Sequence, residues 1–337
     1  MLKRPALSDE NIIVCLQAEY ELLIDQLAFL PLGADQNTAV YHLVADGGKS
    51  YFLKLRAGVF NEVSVLLPKF FSDQGIAQII PPLATGTGQL WASLDEYKTI
   101  LYPYVEGRDG YEVGLADRQW LDFGAALKRI HTASVPPALV RRIPREMYTS
   151  HWREMVKMFL GRVEEDVFED PVASELVVIL KARRAVIIDL IGRAEQLARV
   201  LQVRQMEYLV CHTDLHAGNL LIDPNGAFYI VDWDDPLLAP KERDLMFVGA
   251  GLLGAWRTPG EEESLFYQGY GRANVDLEAL AYYRYERILV DIAVFCEQLL
   301  STDGGGADRF QSLEYLKSNF LPNGTIELAY LADQTQI

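Results

Sequence analysis

Cysteine is scarce in this sequence. Its 337 residues include three cysteines, Cys15, Cys211 and Cys296, and no two of them form a Cys-x-x-Cys pair. Cysteines spaced this far apart predict neither a disulfide framework nor a zinc site built from thiolates. Free thiols are typical of reducing compartments, so we expect a cytoplasmic protein.

The sequence also has few positive charges. Lys and Arg together number 31 against 47 Asp and Glu, which gives a formal net charge of -16 at pH 7. A negative field repels phosphate backbones and anionic lipids, so we expect no nucleic-acid partner and no membrane partner. The same field attracts a cationic small molecule, which fits a cationic substrate.

Long apolar runs are absent as well. The longest is LMFVGAGLLGAW at residues 245–256, which is too short to span a bilayer. The N-terminal MLKRPALSDE is not followed by the apolar segment of a signal peptide. These features agree with a cytoplasmic protein, and nothing in the sequence indicates an oligomeric state.

Chain length and local patterns together predict two lobes. TAVYHLV and SYFLKLR alternate in the manner of β-strands and flank ADGGK, which is a hairpin turn signal. From Trp120 onward, apolar residues recur at the three- and four-residue spacing of helices. We therefore predict a bilobal α+β fold, with a small mixed β-sheet N-lobe over residues 1–104 and a larger, mainly helical C-lobe over residues 105–337.

One β-hairpin interrupts the helical part of the chain. LLID and FYIVDWDD flank the turn PNGA, a strong hairpin signal. The stretch VCHTDLHAGN leads directly into this hairpin. Its polar residues are therefore expected in a loop at the base of the hairpin.

Three polar residues of that loop have a catalytic spacing. His212, Asp214 and Asn219 reproduce the H-x-D-x-x-x-x-N pattern of the kinase catalytic loop, and Asp232 follows after the hairpin, where kinases have a metal-binding carboxylate. We expect Asp214 to act as the catalytic base and Asn219 and Asp232 to bind Mg²⁺ through hard oxygen atoms. A purely local role is the alternative, since Asp and Asn are common caps and turn residues.

Residues of the N-terminal part are candidates for binding a nucleotide. Lys54 in YFLKLR occupies the place of the strand lysine that contacts nucleotide phosphates in kinases, although lysines also protect edge strands. Glu62, the first acid of the following helix, is expected to pair with Lys54, and a solvated glutamate in the first helical turn is the alternative. Gly33 in LPLGADQNTAVY lets the backbone approach an anion, although the glycine-rich kinase pattern is absent.

The segment ILYPYVEG is predicted to be the hinge between the two lobes. Its backbone groups from Tyr102 to Val105 are expected to contact the base of ATP or GTP. Two other residues are predicted to be structural: His212 holds the loop through hydrogen bonds, and Asp244 accepts backbone hydrogen bonds.

The motifs taken together resemble those of a known family. VCHTDLHAGNLLID and FYIVDWDDPLLAPKERDLMFVGAG are similar to the aminoglycoside phosphotransferases, a branch of the protein-kinase-like fold, and the similarity extends over nearly the whole chain. The resemblance implies that Lys54 contacts phosphates, that Asp214 is the base, and that Asn219 and Asp232 hold magnesium.

The family also implies an acceptor, an aminocyclitol whose amines are charged. Carboxylates near the cleft would recognise such amines. The candidates are Asp234, Asp235, Glu286 and Asp291. For Asp291, pairing with Arg287 one helical turn away is an equally good explanation.

The expected function is therefore a small-molecule kinase. It transfers the γ-phosphate of ATP or GTP to a hydroxyl of an aminoglycoside or aminocyclitol, with spectinomycin as the first candidate. Two alternatives stay open: a metabolite kinase of the same fold, of the choline, methylthioribose or homoserine type, and a nucleotide-binding pseudokinase that performs no transfer.

Overall fold

The computed structural model describes residues 4–33, 37–254, 256–301 and 307–334. The chain divides into two compact units. The first unit comprises residues 1–119, 132–143 and 218–236, and the second comprises residues 120–131, 144–217 and 237–337. The predicted division at residue 104 into a nucleotide-binding lobe and an acceptor lobe stays a prediction.

The described residues contain both strands and helices, as the sequence predicts. The strands are β1 Ile24–Leu30, β2 Thr38–Ala45, β3 Ser50–Ala57, β4 Ala92–Leu94, β5 Tyr97–Pro103, β6 Arg108–Asp109, β7 Leu209–Cys211, β8 Leu220–Ile222, β9 Phe228–Ile230 and β10 Leu237–Ala239. The helices are α1 Asp9–Tyr20, α2 Val63–Asp73, α3 Asp117–His131, α4 Pro137–Val140, α5 His151–Glu165, α6 Pro171–Val203, α7 Glu242–Leu245, α8 Pro259–Tyr270, α9 Leu277–Leu300, α10 Ala307–Ser318 and α11 Thr325–Gln334.

The first unit is built on an antiparallel five-stranded sheet in the order β1-β2-β3-β5-β4. The β2–β3 turn lies at the predicted ADGGK segment. Gly47 and Gly48 in this turn have φ angles of 82° and 78°, which residues with a Cβ atom rarely adopt. Tyr51, Leu53 and Leu55 alternate along β3 and are buried in the core beneath α1. The residues between them, including Lys54, therefore point to the other face of the sheet.

The predicted hairpin also belongs to the first unit. Strands β8 and β9 pair in the register Leu220↔Ile230, and β6 extends this small sheet through Arg108↔Ile222. Gly107 has no room for a side chain, because a Cβ there would lie 2.6 Å from the carbonyl oxygen of Ile222. The hairpin fixes the positions of the residues at its base.

The second unit is mainly helical. Its central helix α9 contacts α5, α6, α10 and α11 and is buried on most sides. The predicted helical stretch 146–201 forms two helices, because Asp170 caps the start of α6 by accepting a hydrogen bond from the Ala173 N–H. Within the described ranges, none of the helices is both long enough and apolar enough to cross a membrane.

Candidate active site

Lys54 lies on the polar face of β3 with two carboxylates beside it. Its Nζ is 2.6 Å from Oδ1 of Asp234 and 3.0 Å from Oδ1 of Asp232. Burial lowers the pKa of Lys54, but the charges of Asp232 and Asp234 outweigh this effect and raise it above its ordinary value. Lys54 is therefore a fixed, fully charged cation.

Arg56 is a second cation on the same face, since residues two apart on a strand point the same way. Its Nη1 lies 2.9 Å from Oδ2 of Asp234 and 3.1 Å from the Thr38 hydroxyl. Asp234 therefore links two neighbouring strand cations, one through each carboxylate oxygen. The acceptor role predicted for Asp234 stays a prediction, and its observed partners are the two cations of β3.

A cleft of about 220 Å³ lies beside these cations in the first unit. Its lining is part polar, from Lys54, Arg56, Asn61, Ser64, Asp234 and Asp235, and part apolar, from Val59, Phe60 and Ile100. Asp235 is exposed at this cleft. The positive groups in its lining are suited to bind phosphate oxygens.

Asn219 and Asp232 lie at the same end of the hairpin. The Val231 N–H donates to the carbonyl oxygen of Asn219 at 3.0 Å, which continues the β8–β9 pairing by one step. Asp232 has a φ of 61°, so the chain turns sharply there, while Asn219 is buried. A carboxylate and an amide are hard oxygen donors of the kind that Mg²⁺ prefers, so these residues fit the predicted ion.

The other predicted nucleotide-site residues take different positions. Glu62 forms an ion pair with Arg142, so the predicted Lys54–Glu62 pair is not formed. Gly33 is exposed, with a φ of 96°, between β1 and β2; residues 34–36 of the predicted phosphate turn lie outside the described residues. Tyr102 lies on β5 opposite Phe52 of β3 and packs against the cluster of Val65, Leu90 and Ile100. Val105 follows in the irregular segment 104–107.

The loop that precedes Asp214 is anchored in the second unit by a buried carboxylate. Oδ2 and Oδ1 of Asp244 accept hydrogen bonds from the backbone N–H groups of His212 and Thr213, at 2.9 and 2.7 Å. Nε2 of His131 lies 3.0 Å from the same carboxylate. Thr213 has a φ of 79°, an unusual conformation for a β-branched residue, which these bonds stabilise.

His212 itself is buried, as expected for a residue that holds the loop. Its Nδ1 lies 3.3 Å from the backbone N of Asp214 and is placed to accept its hydrogen bond. At the other end of the loop, the Ala217 N–H donates to the Leu252 carbonyl at 3.0 Å. The backbone on both sides of Asp214 is therefore fixed.

The side chain of Asp214 has two basic neighbours. Nη1 of Arg287, from α9, lies 2.5 Å from Oδ1 of Asp214, and Nε2 of His216 lies 3.3 Å from Oδ2. Nε of Arg287 also lies 3.1 Å from Oδ1 of Asp291, the predicted partner one helical turn away. Burial raises the pKa of Asp214, but the hydrogen bond to His216 and the charge of Arg287 outweigh it and hold this pKa well below its usual range.

Glu286 is separate from this group. It is buried, and its Oε2 lies 2.6 Å from Nη1 of Arg153 on α5. Arg153 also donates to the carbonyl oxygens of Tyr148 and Thr149. A paired, buried glutamate of this kind has a structural explanation, and its predicted acceptor role stays a prediction.

Sequence patterns do not single out Arg56, His216 or Arg287 as partners of the site. For two of them a local signal exists, because Arg56 is two residues after Lys54 on one strand and His216 is two residues after Asp214 in the loop. Arg287 lies 73 residues from Asp214 in the chain. Its contact with Asp214 depends on how α9 packs, which local patterns do not encode.

Comparisons with known proteins agree with this geometry. Residues 28–284 match the model of the phosphotransferase enzyme family, which is well over half of the chain. No curated protein sequence matches significantly. A crystal structure of a spectinomycin phosphotransferase with ADP and spectinomycin is similar with a TM-score of 0.90 and 36% identity, over 98% of this chain and 100% of that one.

Two further structures are similar. The same phosphotransferase in an AMP-bound complex has a TM-score of 0.84 and 35% identity, over 96% of this chain and 98% of that one. The choline kinase LicA from Streptococcus pneumoniae has a TM-score of 0.56 and 16% identity, over 91% and 96% of the two chains, which is a likeness of fold alone. The predicted α+β, kinase-like fold is confirmed, and this chain is an enzyme that belongs to the phosphotransferase enzyme family.

Proposed function

We propose that this enzyme transfers the γ-phosphoryl group of ATP or GTP to a hydroxyl of an aminoglycoside or aminocyclitol, with spectinomycin as the acceptor. The observation that carries this proposal is the 36% identity, across 98% of the chain, to a phosphotransferase crystallised with ADP and spectinomycin. The adenine nucleotides in both similar structures support ATP over GTP as the donor.

Lys54 and Arg56 bind the phosphates of the donor. Without a nucleotide, Asp232 and Asp234 neutralise these cations at 2.6 to 3.0 Å. Phosphate oxygens are strong acceptors of charge-assisted hydrogen bonds. When the nucleotide binds, they replace some of the contacts that the two carboxylates make with Lys54 and Arg56. The backbone of residues 102–105 contacts the nucleotide base, and Gly33 lets the backbone approach the phosphates.

Asn219 and Asp232 are the residues that hold Mg²⁺ beside the phosphates. The two residues stand at one end of one hairpin, and their side-chain oxygens match the donor preference of this ion. When bound, the ion neutralises charge on the transferred phosphoryl group. The paired hairpin backbone fixes the positions from which the two side chains extend.

Asp214 accepts a hydrogen bond from the acceptor hydroxyl and orients it toward the phosphorus. Its pKa lies below the usual range, so it is ionised at neutral pH and is a weak base. A weak base is sufficient, because phosphoryl transfer passes through a loose transition state in which positioning and charge stabilisation supply most of the catalysis.

The negative charge of the chain supports a cationic acceptor. Of the four predicted acceptor carboxylates, Glu286 is buried, while Asp235 is exposed and lines the cleft beside Lys54. Its exposure makes Asp235 the most accessible of the four to an ammonium group. We further propose a reducing compartment such as the cytoplasm, which the buried free thiols of Cys15, Cys211 and Cys296 support.

The proposal is tested by incubating the purified enzyme with magnesium and either ATP or GTP. Acceptors are offered singly: spectinomycin, other aminoglycosides, choline, methylthioribose and homoserine. Mass spectrometry then detects the added phosphate. We expect phosphorylated spectinomycin; phosphorylation of choline or methylthioribose alone would assign a metabolite kinase, and nucleotide binding without transfer to any acceptor would contradict the proposed activity.

A further inference from the structure

A chain of charged side chains extends from the proposed base into helix α9. Asp291 contacts Arg287, Arg287 contacts Asp214, and Asp214 contacts His216, at 3.1, 2.5 and 3.3 Å. All four residues belong to the second unit. The proposed reaction uses Asp214 and assigns no role to the two residues of α9.

Arg287 is held on more than one side. Its guanidinium lies between the carboxylates of Asp214 and Asp291, and its central carbon lies 5.7 Å from the ring centroid of the buried Phe247. The Asp291 contact joins residues four apart on one helix, so the backbone of α9 fixes the geometry. An arginine anchored in this way presents its remaining N–H groups in a set direction.

The surroundings of Asp291 favour an anchor over a substrate contact. The cavity that Asp291 lines together with Arg284, Arg287 and Ile288 measures about 10 Å³. That volume holds about one water molecule at most, and no antibiotic ring. Burial raises the pKa of Asp291, and the charge of Arg287 opposes this rise.

Asp244 and the Leu252 carbonyl fix the backbone of the loop around Asp214. These backbone contacts do not determine the direction of the Asp214 side chain. A carboxylate has about four lone-pair sites on its two oxygens. It can therefore keep the hydrogen bond from Arg287 while accepting one from an acceptor hydroxyl.

We propose that Arg287, anchored by Asp291, is a positioning residue that orients the Asp214 carboxylate for phosphoryl transfer. This inference rests on the proposed function of Asp214. It assigns Asp291 to the support of the base, in place of contact with the acceptor amine. The charged and titratable groups that face Asp214 in this arrangement are Arg287, Asp291, His216 and His212.

The charge of Arg287 also predicts a specific pH dependence. The pKa of Asp214 is depressed by His216 and Arg287, so the carboxylate is ionised above that pKa and becomes protonated as the pH falls through it. Without the arginine, the pKa of Asp214 rises, because an adjacent positive charge favours the ionised form. Activity should then fall at a higher pH in the variant than in the wild type.

The experiment measures kcat and KM for spectinomycin against pH in wild type, R287M, R287K and D291N. We expect R287M to lose about tenfold or more in kcat near neutral pH and to move the acid limb of kcat/KM upward by about one pH unit. R287K keeps the charge, so its acid limb stays near that of the wild type while kcat falls. D291N should lower kcat with the acceptor KM within about twofold.

R162M is the matched control. Arg162 on α5 and Asp166, which caps the C-terminus of that helix, form an i,i+4 pair with the same Nε–Oδ distance of 3.1 Å, and this pair is more exposed. Its removal should change neither kcat nor the acid limb. The double variant R287M/D291N removes both charges of the α9 pair. It therefore leaves no unpaired carboxylate at residue 291 that could impair folding. The acid limb of its kcat/KM profile should still be shifted upward.

Three results would overturn the inference. The first applies if the wild type is active and the kcat/KM of R287M is lower by the same factor at every pH. Arg287 would then have a merely structural role. A rise of about tenfold in the acceptor KM of D291N at unchanged kcat would make Asp291 an acceptor contact. Absence of transfer by the wild type to any hydroxyl acceptor would overturn the proposed function itself, and the role of Arg287 with it.

Discussion

The Nζ of Lys54 lies 2.6 Å from a carboxylate oxygen of Asp234, and these residues are 180 positions apart in the chain. Asp234 also binds Arg56, so one carboxylate orients two cations on the face of β3. From this arrangement we expect Asp234 to act on the nucleotide side of the reaction. The prediction from sequence assigned it to the acceptor, and the two assignments differ in measurable ways.

Replacing Asp234 should affect the nucleotide and not the acceptor. In D234N, Lys54 and Arg56 lose their shared anchor, so we expect the nucleotide KM to rise by about threefold to tenfold while the acceptor KM stays within about twofold. Steady-state kinetics with each substrate varied in turn measure both constants. D235N, at the exposed neighbouring carboxylate, is the control for loss of one negative charge at the same cleft. A higher acceptor KM in D234N at an unchanged nucleotide KM would contradict the assignment.

Replacing Asp214 should abolish turnover without releasing the nucleotide. In D214A the acceptor hydroxyl loses the group that orients it, and general acid–base groups contribute roughly 10²–10⁴-fold to rates. We expect kcat to fall by that range while the dissociation constant for the nucleotide, from a fluorescence or calorimetric titration, stays within about threefold. D166A, at an exposed aspartate of the surface, should leave both constants unchanged. An equal loss of nucleotide affinity in D214A would show that Asp214 is not specific to the transfer step.

The sequence predicts those parts of the fold and site that depend on neighbouring residues. Alternation along β3 places Lys54 opposite a buried face, and the PNGA turn pairs β8 with β9 so that Asn219 and Asp232 meet at one end. The Arg287–Asp291 pair follows from a spacing of four on one helix. In each case the residues that come together are close in the sequence, or a turn of known type fixes the pairing register of the two strands.

Contacts between distant segments could not be predicted in this way. Lys54 pairs with residues about 180 positions away in preference to Glu62, eight residues away, which pairs with Arg142 instead. Arg153 and Glu286 are separated by 133 residues, and their contact exists because α5 packs against α9. Such partners are set by the packing of whole elements, and a list of residues with suitable charge cannot choose among them.

Breaking the buried Arg153–Glu286 pair should affect stability and not acceptor recognition. R153M leaves the Glu286 carboxylate buried without its partner, which typically costs about 3–5 kcal/mol in the free energy of unfolding. Lys157, one turn along α5, forms a pair with Glu195 at the same 2.6 Å distance but at the surface, and K157M should cost less than about 1 kcal/mol. Denaturant titrations followed by circular dichroism measure both values.

The companion variant E286Q tests the acceptor role predicted for Glu286. A glutamine of the same shape retains one hydrogen bond to Arg153 and removes the negative charge. We expect reduced stability with an acceptor KM within about twofold of that of the wild type. A large increase in the acceptor KM of folded E286Q would restore Glu286 as a substrate contact.

Asp244 should make the stability of the enzyme depend on acid pH. Burial raises the pKa of Asp244, but the hydrogen bond with His131 and those from the loop backbone outweigh burial and hold this pKa below its ordinary value. A carboxylate with a depressed pKa contributes stability above its unfolded pKa of about 3.9, and this contribution is lost as the pH falls through the folded pKa.

D244N should therefore be less stable than the wild type by about 2 kcal/mol or more at neutral pH, because it removes charge-assisted hydrogen bonds to two backbone N–H groups. The difference should shrink as the pH is lowered below about 3.9, where the unfolded chain begins to bind a proton at this aspartate. Asp223 provides the control, since it also accepts two backbone hydrogen bonds, at 2.8 Å each, but at an exposed turn. D223N should cost less than about 1 kcal/mol at either pH. A D244N deficit that is equally large at both pH values would mean that the charge of Asp244 does not stabilise the loop and that only its shape matters.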